Sequence, residues 1–308
     1  MDNQKLKTLL AFGAIYIIWG STYLAIRYAV ETIPPFLMMG TRSLTAGIIL
    51  FIWSRFKGNG KLRRENLPPL FIIGALFFLV GHGLLAWAQQ QVPSGLAAVL
   101  VASEPFWVVA IESFFIHDTR VRVLGIAGLI IGFGGIVYLI ASTKGISTSG
   151  GNLIGSFAIV GGAFSWGIGA VYARVAKLPK SPMLSAGMEL ITGGSLLLIT
   201  SFILGELNQF HIAELPLRSI LSLGYLIIFG SVITFSAYIW LLGHTSVTRI
   251  STHTYVNPVI AVFLGWLIAD EQITFAIIIS TIIIIISVYL VLHDQYRMRK
   301  KFINLKES

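Results

Sequence analysis

IWGSTYLAIR (residues 18–27) and SWGIGAVYAR (residues 165–174) are the two stretches on which the reading of this chain turns. Each sets a Trp-Gly pair in an apolar run and reaches an arginine seven residues past the glycine, Arg27 in one copy and Arg174 in the other. The same spacing carried forward sets Arg42, Thr45 and Gly47 against Glu189, Thr192 and Gly194. Further on, Trp87, Glu104-Pro105 and Asp118 fall on Trp240, Asn257-Pro258 and Glu271 without a gap. Chance resemblance between apolar helices does not hold Trp, Pro and charged positions at one spacing, so the chain reads as an internal duplication.

Between these marks the sequence is too apolar for a soluble protein. Of its 308 residues 56% are hydrophobic and 11% charged, with a mean hydropathy of +0.83. Soluble domains carry about 25% charged residues, so lipid is the solvent. Spanning a bilayer takes roughly 17–25 apolar residues per helix. Windows of that length run over 8–28, 34–53, 68–88, 94–116 and 121–141, then 153–175, 182–204, 217–242, 247–268 and 273–292. Breakers stand between them, among them Pro34-Pro35, Pro68-Pro69, Pro93-Ser94-Gly95, Gly150-Gly151-Asn152, Pro182 and Pro216. The first window is too long for a signal peptide and lacks a small-residue cleavage site, so it reads as a retained helix.

The net charge of +9 does not mark a nucleic-acid binder, because the basic residues sit in short gaps between apolar runs. Lys5, Lys7, Arg55, Lys57, Lys61, Arg63, Arg64, Arg120, Arg122, Arg174, Lys177, Lys180, Arg249 and the tail cations all fall on one side of a chain that crosses ten times. The other side receives only Arg27, Lys144 and Arg218. Lys/Arg excess marks the cytoplasmic side. The expectation is a multi-pass inner (plasma) membrane protein with both termini in the cytoplasm. Each half holds an odd number of helices, so the two copies run in opposite directions. The expected fold is thus an all-α integral membrane protein of two inverted five-helix repeats, 9–141 and 151–292, followed by a basic tail, 293–308. Inverted repeats of this kind belong to secondary transporters, with the site at the repeat interface near the midplane.

These motifs also resemble a known family. Ile18-Trp19-Gly20-Ser21-Thr22-Tyr23, Arg42 with Ala46-Gly47, Pro93-Ser94-Gly95-Leu96-Ala97-Ala98 leading to Glu104-Pro105, and Asn257-Pro258 with Asp270-Glu271 are similar to the EamA-type exporters of the drug/metabolite transporter superfamily. The resemblance covers about residues 9–292. It implies a basket of helices around a central cavity lined by the first four helices of each half, with the fifth and tenth peripheral. It implies outward movement of amino acids, pigments, drugs or other metabolites.

Ionisable groups inside the membrane are the sharpest candidates for the work. Arg42, Glu104, Glu112 and Glu189 would together cost on the order of 10 kcal/mol if they faced lipid. They are expected to face a cavity or one another, with Glu112 close enough to a helix end to snorkel. Glu104-Pro105 and Asn257-Pro258 lie mid-helix, where each proline frees a carbonyl four residues back. His253 shares a helix face with Asn257. Tyr16, Trp19, Tyr23 and Arg27 form a stripe on the first helix, opposed on the sixth by the smaller Ala163, Trp166, Ala170 and Arg174. The expected substrate-binding set is Tyr16, Trp19, Tyr23, Arg42, Glu104, Trp166, Glu189, His253 and Asn257. One positive residue against several acids favours neutral, zwitterionic or cationic cargo. Glu104 is the candidate carrier of a coupling proton, since its repeat mate Asn257 does not titrate. Arg42 and Glu189 are expected roughly 10 Å apart along the membrane normal.

The fifth helix is rich in glycine (Gly125, Gly128, Gly132, Gly134, Gly135), while the tenth is an isoleucine run that suits lipid or a looser contact, so the two halves are expected to pack unequally. Enzyme motifs of the zincin, Walker or nucleophile-elbow kind are missing and Cys is absent, so neither catalysis, a cofactor nor a metal is expected. The expected partners are a small-molecule substrate, the lipid bilayer and protons, with no nucleic acid. The protein is expected as a monomer or a weak dimer.

Overall fold

The computed structural model describes residues 3–58, 62–115, 123–142, 151–242, 244–245, 250 and 252–307. Among them there is no strand. Eight helices are long and apolar enough to cross a membrane: α1 (Gln4–Ala29), α2 (Pro35–Phe56), α3 (Arg64–Ala88), α4 (Ser94–Glu112), α5 (Leu124–Ser142), α6 (Leu153–Val175), α7 (Pro182–Ile203) and α8 (Leu217–Leu241). Two shorter apolar helices follow, α9 (His253–Ala269) and α10 (Phe275–Val291). Asp118, Arg120, Arg122, Lys144 and Arg249 lie outside the described residues. Below, the near face is the one that holds the N-terminus, and the far face is opposite.

Proline and acid together set where the far-face helices begin. Pro35 opens α2, where a missing N–H costs nothing. Glu206 then takes the next two donors, Phe36 N at 3.3 Å and Leu37 N at 2.9 Å. Glu271 does the same for α4, accepting Ser94 N at 2.7 Å and Gly95 N at 3.0 Å. A carboxylate on the orphan amides of a helix start is favoured by both hydrogen bonding and the helix dipole. Each acid is aimed by a left-handed residue just before it, Gly205 (φ 72°) and Asp270 (φ 51°).

The duplication read in the sequence is visible in the packing. A Cβ on Gly47 would lie 2.7 Å from Ile191 N and 2.9 Å from Gly187 O, and one on Gly194 would lie 2.5 Å from Leu44 N and 3.1 Å from Gly40 O. Gly40 and Gly187 are repeat mates, as are Gly47 and Gly194, so α2 and α7 cross backbone to backbone about a pseudo-twofold axis. Gly20 accommodates Ile260, and its mate Gly167 accommodates Trp107, the mate of Ile260. Around the α2–α7 pair, α1 packs with α8 and α9, and α6 packs with α3 and α4. These are two equivalent three-helix bundles, joined through α4–α9 and flanked by α5–α10.

The α5–α10 contact is close, not loose. Gly128 leaves no room for a Cβ against Val291 (2.8 Å) and Ser287 O (3.0 Å), and Gly135 none against Ile283 (2.8 Å). The glycines of α5 receive the bulk of α10, so an isoleucine run opposite a glycine face is a complementary fit.

Candidate functional site

Three helices lose their regular ladder near mid-membrane. Widened π-helical turns occupy Ala14–Ile18 in α1, Ala75–His82 in α3 and Leu226–Ile233 in α8. The turns in α3 and α8 fall at nearly matched places in the two repeats. A fourth break comes in α4, where Ala102 and Ser103 form a turn and the helix restarts at Glu104. Pro105 supplies the cause, since it cannot donate to Val101 O. Helices interrupted in this way expose backbone polarity where a transporter needs it.

Side chains seize most of that freed backbone. Trp19 Nε1 donates to Gly230 O at 3.1 Å, Ser165 Oγ to Leu76 O at 2.9 Å and Thr234 Oγ1 to Phe229 O at 2.6 Å. With its amide turned to suit its neighbours, Asn257 Nδ2 donates to Ile15 O (3.2 Å), Tyr16 O (3.1 Å) and His253 O (3.1 Å). Asn257 thus binds α9 to the widened turn of α1, and its donors are spent on that joint. Tyr16 is likewise tied to α9, its hydroxyl 2.5 Å from Thr252 Oγ1. Of the residues expected to hold substrate, these two hold helices.

Arg42 and Glu104 stand differently. Arg42 is buried on α2; its Nε donates to Ser231 Oγ at 3.0 Å in the widened turn of α8, and its Nη1 lies 3.6 Å from Met39 Sδ. No carboxylate pairs with it among the described residues. Glu104 is half-buried and makes no hydrogen bond among the described residues. Tyr23 on α1 lies within electrostatic reach of both charges, and Tyr238 on α8 within reach of Glu104. Arg42 and Glu104 thus both act on Tyr23, and neither has an ion-pair partner among the described residues.

Each bundle also carries an aromatic group. Trp19 touches Phe235 (5.7 Å between centroids), Tyr238 (5.5 Å) and His253 (5.2 Å). His253 in turn has its Nδ1 on Ile250 O at 2.9 Å. Trp166 stacks on Phe77 at 4.3 Å and 15°, and meets His82 at 4.9 Å. The repeat matches His82 with Phe235 and Phe77 with Gly230. The phenyl ring of Phe77 therefore fills the position opposite Trp166 where Trp19 instead finds a bare carbonyl. His82, Ser231, Tyr238 and Phe77 were not among the expected site residues. Extending the repeat spacing from Trp87/Trp240 pairs His82 with Phe235 and Phe77 with Gly230, but Ser231 and Tyr238 fall on Phe78 and Leu85 and carry no such mark.

The glycine register sets Gly47 level with residues 187–191 and Gly194 level with residues 40–44, so Arg42 and Glu189 lie about five residues, roughly 7.5 Å, apart along the axis of the α2–α7 pair. Arg42 bonds to α8, whereas Glu189 is bonded within its own helix, where Ser185 Oγ donates to its Oε1 at 2.9 Å. Glu112 does not snorkel. It is buried and forms an ion pair with Arg174 of α6.

The two faces differ. At the far face Arg27 Nη1 donates to Gln89 O (2.9 Å) and Gln89 Nε2 to Tyr23 O (2.9 Å), which links the two bundles, as Glu271 on the first turn of α4 also does. Ala25, Ile26 and Ala29 of α1 are buried there, whereas their mates Tyr172, Ala173 and Ala176 of α6 are only half-buried at the near face. At the near face Asn66 Nδ2 bonds Lys177 O (2.8 Å), and Glu112 pairs with Arg174, each within one bundle. The bundles are closed on each other at the far face.

A family model described as the EamA-like transporter family matches the chain twice, over residues 6–141 and 153–293. The chain is 37% identical over 306 residues to YedA of Escherichia coli (strain K12), described as an uncharacterized inner membrane transporter, covering 96% of this chain and 93% of that protein. It is 28% identical to the uncharacterized transporter YoaV of Bacillus subtilis (strain 168), with 92% and 96% coverage. A solved crystal structure superposes with a TM-score of 0.63 at 20% identity, over 93% of this chain and 97% of that one, which is a likeness of fold.

Proposed function

Because this chain belongs to the EamA-like transporter family, we propose that it exports small zwitterionic or cationic amphipathic metabolites across the inner membrane by alternating access. The observation that carries the cargo class is the pair of unneutralised charges, Arg42 and Glu104, around Tyr23. A buried charge without a partner is costly, and a ligand that brings the missing counter-charges relieves both at once. The carboxylate end goes to Arg42 and the ammonium end to Glu104, and the apolar body lies between the Trp19 and Trp166 clusters, where a cation gains further from ring faces. When the site is empty, a proton on Glu104 serves in place of the ammonium.

Each moving bundle draws helices from both repeats, 9–141 and 151–292, and the near face is the cytoplasmic one, where the basic loops and the tail gather. A state closed at the far face accepts cargo from the cytoplasm, which suits export. The test is an untargeted comparison of external metabolites between overexpressing and deletion cells. Compounds that accumulate outside should carry an ammonium group, and Arg42→Ala should abolish export of those that also carry a carboxylate while sparing purely cationic ones. Accumulation of dianions such as phosphorylated metabolites would refute the reading.

A further inference from the structure

The first turn of α4 already holds a carboxylate. Glu271, in the turn between α9 and α10, accepts Ser94 N at 2.7 Å and Gly95 N at 3.0 Å. Those amides are orphan donors of a helix start and lie at the positive pole of its dipole. The acid comes from the other bundle, since its own N–H donates to Gly265 O of α9 at 3.0 Å.

Gly265 supplies the seat. A Cβ there would lie 2.5 Å from Glu271 Oε2 and 3.0 Å from Ser94 Oγ, so carboxylate and hydroxyl border one gap. They do not bond each other. Ser94 is fully buried, and its Oγ has no hydrogen-bond partner among the described residues. Buried hydroxyls seldom go without one. Glu271 thus uses the two amides and leaves a third donor idle. Arg27, held on Gln89 O at 2.9 Å, adds a guanidinium on the segment that leads into α4. Two amides, an idle hydroxyl and a nearby cation make an anion site, filled here by the protein's own acid.

We infer that the first turn of α4 is a carboxylate site on the way out: Glu271 occupies it while the far face is closed, and the carboxylate of a zwitterionic cargo replaces it when that face opens. The inference rests on the alternating-access reading and the cargo class above. The acid and the amides belong to different bundles, so parting the bundles vacates the site. A free carboxylate binds only the opened state and therefore shifts the population toward it. Arg42 lies seven residues into α2 from the same face, roughly 10 Å deep, so the cargo's carboxylate has an inner and an outer station.

The natural chain has no cysteine, so a single introduced one reports alone. Ala98 shares a face of α4 with Gly95, whose Cβ would lie 3.0 Å from Val262 Cα of α9, and Ala98 is 1% exposed. Maleimide labelling of Ala98→Cys in purified, detergent-solubilised protein reads the parting of α4 from α9. Sodium acetate should raise the rate saturably, and sodium chloride at equal concentration should not. Glu271→Ala, which vacates the site, should label fast without acetate and gain little from it. Ser94→Ala removes the hydroxyl that is idle in the closed state. It should raise the half-saturating acetate concentration roughly fivefold, the weight of one hydrogen bond. Size-exclusion profiles check that each variant is folded. Fast labelling of Glu271→Ala beside a parent indifferent to acetate overturns the carboxylate site and leaves alternating access standing. Equal rises with acetate and chloride, which mean charge screening alone, overturn it too, as does a Ser94→Ala protein that responds like the parent. If neither Glu271→Ala nor Arg27→Ala raises labelling, opening of these bundles at the far face fails with it.

Discussion

Replacing Gly194 by alanine puts one methyl group where α2 and α7 meet backbone to backbone. The new Cβ would lie 2.5 Å from Leu44 N and 2.9 Å from Leu44 Cα, and no rotamer change relieves a contact with main chain. Ordinary contact needs about 3.5 Å or more, so the helices must part by roughly 1 Å. A radial gap of about that size forfeits a quarter to a half of each dispersion well along the crossing. Overpacking of this kind costs about 1–3 kcal/mol. Helix propensity acts the other way by up to ~1 kcal/mol. A net loss of about 1 kcal/mol in a chain of this size lowers the melting midpoint by roughly 3 °C. Gly161 is the internal control, because a Cβ there meets nothing within 4 Å. Gly161→Ala should hold or raise the midpoint by the propensity gain alone. Thermal unfolding of the purified protein in detergent, followed by size-exclusion recovery, measures both. A Gly194→Ala protein as stable as the Gly161→Ala protein would refute the close crossing and the register drawn from it.

Three further outcomes are expected. Reporter fusions after Gly60 and at the C-terminal tail should both report cytoplasm, and one after Thr148 the exterior; a cytoplasmic signal at Thr148 contradicts the odd number of spans per half. Glu104→Gln should remove the response of export to an imposed pH gradient while the protein still inserts, and an undiminished response would exclude Glu104 as the proton carrier. Arg42→Ala and Glu189→Ala should each abolish export of zwitterionic cargo, and Arg42→Glu with Glu189→Arg should not restore it, because the two side chains have different partners; recovery in the exchanged protein would make them a structural pair.

The sequence disclosed the spans, the duplication and the mid-membrane charges because each leaves a mark of residue type: apolar length, matched Trp and Pro, ionisable groups where lipid forbids them. It did not disclose which polar groups the fold consumes. Asn257 and Tyr16 look like Glu104 in sequence, but their hydrogen bonds go to α1 and α9. That depends on the widened turn at Ala14–Ile18, a backbone feature with no residue of its own to announce it. The register of α2 on α7 is a further case: Gly40, Gly47, Gly187 and Gly194 set it by contact across the pair, which counting depth from each helix start does not reveal. Likewise the α5–α10 fit is a property of two surfaces together, which neither helix shows alone.

The bond from Trp19 Nε1 to Gly230 O bears on how such a protein changes cargo over generations. Its acceptor is main chain, so no substitution at position 230 deletes it, provided the turn keeps its course. The neighbouring side chains at 231, 235 and 238 are free to drift, and each drift re-lines the chamber against an unmoved indole. The opposite repeat illustrates the result: a phenyl ring at Phe77, stacked on Trp166 at 4.3 Å, fills the equivalent place. Descendants of one ancestral half thus diverge in what they greet while inheriting the same anchor.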